Sequence, residues 1–326
     1  MSPKASAACW PPTKWLCAIC CLLLAACQTP PQPRLELVQR SRPLLGTFVA
    51  ISAYGSDRGQ TQQAISQAFE EFHRADRLMS LHRTDSELSR VNELAATRPV
   101  PVSEELFHVL STALDIARQT DGSLDFTVRP LADRWCFIWK EYRLPTDEEL
   151  KAVLPRVNYR LVQLDAGQRT VRFLRPDISI DLGGIGKGYA VDLAIEKLRC
   201  MGIKSAMVKA GGDLRVMGLP PGKPPWTVLL EDPAKAGHRT PVVLREGALS
   251  TSGNYENFFV IGGKRYAHLL DPRTGLPVEG IAACTVTAPT CMESDAWATA
   301  CFVLGPEKSL ARFGERFGIR FEMMPE

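Results

Sequence analysis

Three groups of residues have types and spacings suited to phosphate chemistry. The first is Asp295 and Thr299, four apart in the apolar run 294–304 that closes at Gly305-Pro306. On a helix this spacing puts a carboxylate and a hydroxyl on one face. Such a hard-oxygen pair suits Mg²⁺, which takes few protein ligands beside water and substrate phosphate. Taken alone, the pair has a simpler reading: an N-terminal Asp favouring the helix dipole, with Thr299 packed inward. The second is His268, at a strand end just before the turn Asp271-Pro-Arg-Thr-Gly275. An imidazole there can act as a general base near neutral pH, although a strand-end histidine is more often simply hydrogen-bonded. The third is Asp181-Leu-Gly-Gly-Ile-Gly-Lys-Gly-Tyr-Ala-Val-Asp192. Its glycines permit close backbone approach, and the helix that follows offers unpaired N–H groups to an anion, most simply a phosphate. Gly188 follows Lys187 where a Walker A loop has Ser or Thr, and the spacing is not G-x-G-x-x-G. A tight turn without ligand fits the stretch equally well.

The elements around these residues follow from periodicity. β-Branched Ile178-Ser-Ile180 reads as a strand, 189–201 as a helix and 204–209 as a further strand, so 178–209 is expected to form a β-α-β unit. Upstream, 46–54 reads as a strand and 60–78 as an amphipathic helix; Asp85 or Ser86 and then Ser103 are candidate N-caps of two more helices. The loop 120–127 carries Asp125 and Thr127, which either face a ligand or close the turn. Residues 129–155 are aromatic and irregular, with Trp135, Phe137, Trp139 and Tyr142, and suit a core, a lid or a stacking platform. A hairpin spans 159–174, and a second turns at Gly262-Gly263. The entry to the latter, Ser250-Thr-Ser-Gly-Asn-Tyr255, has hydroxyls that line a phosphate pocket or satisfy a bulge.

The first 30 residues contain no acid, carry Lys4 and Lys14, and run apolar from Trp15 to Ala26. This is the pattern of a secretory signal, too short for a membrane span of roughly 20 residues. Leu24-Ala-Ala-Cys27 resembles a bacterial lipobox, which predicts a signal over 1–26, lipidated Cys27 and a Pro/Gln-rich tether over 27–40. Gln28 after the cysteine favours the outer membrane within that pattern. A single continuous globule, 41–326, follows. Cleavage removes two lysines from a chain of net charge +3, leaving no electrostatic case for nucleic acid. The remaining cysteines, Cys136, Cys200, Cys284, Cys291 and Cys301, show no C-x-x-C spacing, and Cys284, Cys291 and Cys301, in apolar surroundings, read as structural.

Set in order, Gly46-Thr47, Met79-Ser80, Asp85-Ser-Glu-Leu88, Gly122 to Thr127, Asp181 to Asp192, Gly211-Gly-Asp213, Ser252-Gly253, His268 to Gly275 and Asp295 to Thr299 resemble the ApbE family of FAD:protein FMN transferases. The likeness spans about residues 40 to 320. It implies an α+β fold, with mixed sheets flanked by helices and the FAD site in a cleft of a two-lobed globule. It also implies Mg²⁺ held by Gly184, Asp295 and Thr299, and His268 as the proposed base. FAD, as substrate, is expected to contact Met79, Asp125, Phe126, Thr127, Asp181, Lys187 and Ser252. His82 stands where the family often has an aromatic side chain. The implied reaction moves FMN from FAD onto a threonine hydroxyl of a partner flavoprotein and releases AMP. The family's acceptors are subunits of membrane redox pumps such as sodium-translocating quinone reductase. An Mg²⁺-dependent FAD pyrophosphatase and a flavin-binding lipoprotein without turnover are the competing readings.

Overall fold

The computed structural model describes residues 34–137, 143–233, 235, 237–255 and 258–324. Cys27, with the rest of the leader, lies outside the described residues, as do Trp139 and Tyr142. Residues from Leu35 onward form one compact unit. Among the described residues no helix is long and apolar enough to cross a membrane.

A seven-stranded sheet positions the site. Its strands are β1 (Glu36–Leu44), β2 (Thr47–Gly55), β6 (Ser205–Ala210), β7 (Asp213–Met217), β10 (Gly247–Gly253), β13 (Ile281–Ala288) and β14 (Gly318–Met323), neighbours in that order. The tether expected to run to residue 40 therefore stops earlier, because β1 pairs along its length with β2 from Glu36. Three small antiparallel sheets complete the strands. They are β3 (Val100–Pro101) with β4 (Val162–Asp165) and β5 (Thr170–Phe173), β8 (Trp226–Glu231) with β9 (Arg239–Leu244), and β11 (Phe258–Ile261) with β12 (Lys264–Ala267).

The fold is α+β as expected, with several sheets flanked by helices, and every strand pair of the large sheet is antiparallel. The reason lies at residues 178–180. That segment joins no sheet; the Asn92 side chain accepts from Ile180 N (2.7 Å) and donates to Ile180 O (2.9 Å). Without a first strand there is no β-α-β crossover, the connection that would have made a parallel pair.

Strand alternation divides the sheet's two faces. One carries Val49, Ile51, Ala53, Ala206, Val208, Ala248, Cys284 and Val286 into the main core. It is covered by α1 (Arg58–Met79), α6 (Gly186–Cys200) and α7 (Cys291–Leu304). The other presents Leu214, Val216 and Leu249 to the β8–β9 arm, which packs Trp226, Val228 and Leu230 against them. Helices α2 (Glu87–Leu94) and α3 (Glu104–Gln119) start at Ser86 and Ser103, whose hydroxyls accept from Ser89 N and Leu106 N as N-caps do. The short helices α4 (Arg129–Arg134) and α5 (Asp147–Val153) build a separate cluster. Trp135 and Phe137 are buried there beside Phe259, and Trp135 Nε1 donates to Gly275 O at 2.8 Å. Both described aromatics of that region therefore serve a core. A short helix, α8 (Pro306–Phe313), follows Gly305.

Candidate active site

The glycine-rich stretch is an irregular turn that launches α6. Asp181 N donates to Phe126 O (2.7 Å), and Asp181 Oδ1 accepts from Gly183 N (2.7 Å), turning the chain back on itself. Two of the glycines then lie in close approach to α7, and at Gly188 the approach requires glycine. A Cβ on Gly184 would stand 3.3 Å from Thr299 Oγ1, so the backbone lies against that hydroxyl. A Cβ on Gly188 would stand 2.2 Å from Cys291 O and 2.8 Å from Asp295 Cβ; the first turns of α6 and α7 touch backbone to backbone.

Five polar side chains from four elements meet at this contact. On α7, Asp295 Oδ2 accepts from Gly188 N at 2.9 Å, and its Oδ1 lies 3.6 Å from Lys187 Nζ. Lys187 itself donates to Asp213 Oδ2 at 2.5 Å. One turn along α7, Thr299 Oγ1 lies 3.3 Å from Ser252 Oγ of β10. The period-2 register of β10 explains Ser252: it shares the helix-facing side with Ser250, whose hydroxyl meets Ser294 Oγ at 2.7 Å. Asp213 and Arg215 likewise share the helix-facing side of β7.

The electrostatics of the cluster are those of an anion short of counter-charge. Burial, with the repulsion of Asp213 second, pushes Asp295 up to about 7 despite Lys187 and the Gly188 N–H. Burial alone would lower Lys187, but Asp213 and Asp295 more than offset it and hold the ammonium protonated well above its ordinary range. Two carboxylates and one ammonium leave one net negative charge. Asp295 and Thr299, with the Gly184 backbone against Thr299, form a hard-oxygen donor set that fits a small divalent cation supplying the missing charge.

Other expected contacts have structural work. Asp125 Oδ1 accepts from Thr127 N (2.9 Å) and Thr127 Oγ1 (2.6 Å), and Oδ2 from Tyr159 N (2.9 Å); Thr127 Oγ1 in turn accepts from Asn158 N (2.8 Å). Both side chains are buried, so they tie the loop to residues 158–159, the turn-closing alternative. Burial raises Asp125, and these donors offset part of that cost. The Phe126 side chain sits in the main core, and Met79 packs there too, 3.6 Å from where a Gly186 Cβ would be. His82 is exposed. His268 follows β12 directly and is half-buried. The turn after it is anchored by Trp135 on Gly275 O and by Arg273, which holds Asp271 at 2.8 Å.

Residues 45–320 match the family model described as the ApbE family. The chain belongs to the ApbE family. Similar curated proteins include the FAD:protein FMN transferase of Vibrio cholerae, 35% identical over 308 residues that cover 91% of this chain and 89% of that one. The protein of the same description from Escherichia coli K12 is 32% identical over 299 residues, covering 88% and 85%. Among solved structures, an ApbE protein from Thermotoga maritima aligns with a TM-score of 0.83 at 31% identity, covering 88% of this chain and 94% of that one. The Pseudomonas stutzeri flavinyl transferase ApbE aligns with a TM-score of 0.79 at 28% identity, covering 90% and 92%.

In this ApbE-family chain two residues inside recognised motifs acquire roles that the motifs did not disclose. Asp213 closes Gly211-Gly-Asp213 and grips Lys187. Asp192 closes the glycine-rich stretch and caps the next helix: Oδ1 accepts from Cys291 N and Oδ2 from Met292 N, both at 2.9 Å. Arg215 pairs with Asp192 at 2.8 Å, both side chains being 13% exposed. Because that ion pair is largely buried and the carboxylate is also the helix cap, Asp192→Ala is expected to cost about 3 kcal/mol. Urea denaturation checks this; a change within about 0.5 kcal/mol, the scale of an ordinary surface substitution, would mean that α7 is seated by other contacts.

Proposed function

We propose that this chain is an Mg²⁺-dependent FAD:protein FMN transferase, acting on a threonine hydroxyl of a partner flavoprotein and releasing AMP. The observation that carries the reading is the meeting of Gly184, Lys187, Ser252, Asp295 and Thr299 at one point. It occurs in a chain whose relatives are named FAD:protein FMN transferase.

Asp295, Thr299 and the Gly184 carbonyl would hold the metal, which when bound supplies charge neutralisation at the pyrophosphate. Lys187 adds a fixed positive charge at the same phosphates, held in place before substrate arrives. Ser252 orients Thr299. His268 serves as the base: its imidazole accepts the proton of the acceptor threonine as that oxygen forms a bond to the FMN phosphorus. The bond from that phosphorus to the bridging oxygen breaks, and AMP departs with the electron pair. Met79 and the loop 125–127, which residues 158–159 hold in place, would form the FAD-contacting wall of the site.

The proposed acceptors are flavoprotein subunits of membrane redox complexes, of the sodium-translocating quinone reductase type. The leader supports an exported protein lipidated at Cys27 and tethered in the bacterial envelope, with Gln28 favouring the outer membrane. Palmitate labelling that persists in Cys27→Ala would refute the anchor.

Incubation with FAD, Mg²⁺ and a threonine-bearing acceptor, scoring covalent flavin and free FMN separately, tests the activity. Covalent flavin that depends on Mg²⁺ is expected, whereas free FMN alone would make the protein a pyrophosphatase. His268→Ala is expected to reduce transfer by about 10²- to 10⁴-fold, the usual worth of a general base, while FAD binding by fluorescence stays intact. Full activity in that variant would remove His268 from the mechanism.

A further inference from the structure

Helix α6 and strand β7 are joined by two ion pairs of opposite polarity. Lys187 of the helix meets Asp213 of the strand, and Asp192 of the helix meets Arg215 of the strand. Asp213 and Arg215 are two apart, so both face the helix. Sliding α6 along β7 would bring Asp192 towards Asp213 or Lys187 towards Arg215, like charge against like. The arrangement therefore fixes where the Lys187 ammonium stands. That position is asymmetric: Nζ hydrogen-bonds Asp213 but remains 3.6 Å from Asp295 Oδ1. The Lys187 side chain keeps 36% of its surface exposed, against 3% for Asp213 and 5% for Asp295. Asp213 thus grips the ammonium through one carboxylate oxygen, while part of the Lys187 side chain stays open to solvent. An ammonium has three donors, and one of them is committed to Asp213.

We infer that Asp213 is a positioning residue that restrains Lys187 from pairing fully with Asp295, leaving the Asp295 Oδ1 for a divalent cation and the ammonium's outer donors for phosphate. The inference rests on the metal-dependent reading above and adds to it the residue that keeps cation site and lysine apart. In Asp213→Asn the strong partner is lost, and Lys187 has Asp295 as its remaining carboxylate within reach. The ammonium then competes with the metal for the same oxygen.

The probe is Mn²⁺ alone, titrated against the full chain without FAD and followed by the loss of its free-ion electron paramagnetic signal. Asp213→Asn is expected to weaken Mn²⁺ binding by about 10- to 100-fold, the range for residues that act through a ligand's neighbour. Asp213→Glu, which keeps the charge, is expected to recover most of it. In a Lys187→Met background the Asn substitution is expected to change the affinity by less than about 3-fold, because no ammonium remains to be released. An equal loss in both backgrounds overturns the inference, since Asp213 would then act only as a distant negative charge; unchanged affinity in Asp213→Asn overturns it as well. Lys187→Met by itself gives an independent reading: Mn²⁺ affinity at or above wild type is expected, and a loss as large as that of Asp213→Asn overturns the assignment whether or not the Asn variant folds. The proposed function is judged separately. Wild type that binds Mn²⁺ with this coupling yet transfers no FMN refutes the transferase reading alone, and wild type that binds no Mn²⁺ refutes both.

Discussion

Asp295→Ala is expected to lower FMN transfer by about 10³-fold or more and to abolish its response to Mg²⁺, while the folded protein becomes no less stable. The two halves of this expectation have the same cause. Asp295 is a buried carboxylate that burial and Asp213 push up to about 7, so in the metal-free protein its ionised form is held at a cost. Its removal leaves the buried Gly188 N without that acceptor, a loss of about 1–3 kcal/mol. It also relieves the repulsion with Asp213 and puts the best helix former into α7. Lys187 keeps its ion pair with Asp213, so no unpaired charge is created. In the proposed mechanism the carboxylate supplies the one full negative charge of the donor set that Thr299 and the Gly184 backbone would complete. Thermal melting in EDTA beside a transfer assay titrated with Mg²⁺ reads both halves. Retained activity with an unshifted Mg²⁺ titration would place the metal elsewhere. A large fall in melting temperature with metal absent would show that the carboxylate holds α6 and α7 together, making the loss of activity a folding effect.

What could be read in the sequence, and what could not, divides along the range of the interactions. Ser86 and Ser103 cap helices using N–H groups three residues away, so their role was visible in a window of four. The Asp295–Thr299 spacing was legible for the same reason. Ile178-Ser-Ile180 has the composition of a strand, yet its backbone partner is the side chain of Asn92, 88 residues distant. No local pattern distinguishes an extended segment clamped by an amide from one paired with a neighbour. The Asp125–Thr127 loop shows the same limit. Its oxygens are the kind that bind ligands, and only the arrival of the Asn158 and Tyr159 N–H groups shows that they also close the turn. Lys187 and Asp213 were both inside recognised motifs, but pairing them requires the α6–β7 packing that the fold alone supplies. The family resemblance carried across such distances because it compares whole arrangements, and it too left Asp213 and Asp192 without roles.

Gly188→Ala is expected to destabilise the protein by about 3 kcal/mol, the upper end of the usual cost of overpacking, and to depress transfer with it. In an exposed helix interior the same change would be worth about 1 kcal/mol in the opposite direction. The sign is decided by what the new methyl meets. A Cβ at 188 falls 2.2 Å from Cys291 O, 2.6 Å from Cys291 C and 2.8 Å from Asp295 Cβ. Two of those atoms are backbone, so no rotamer change relieves the clash, and α6 and α7 must separate. Separation breaks the hydrogen bond from Gly188 N to Asp295, and it pulls Cys291 and Met292 from Asp192, four residues further along α6. The carboxylate proposed to bind the metal and the acceptor of the first N–H groups of its helix are thus displaced by one methyl group. Gly186→Ala is the internal control. Its Cβ would meet Met79 at 3.6 Å, an ordinary contact with a flexible side chain, and the change is expected to stay within about 1 kcal/mol of wild type. Equal effects of the two substitutions in urea denaturation would mean that backbone freedom in the glycine-rich turn, rather than the approach of the two helices, is what these glycines provide.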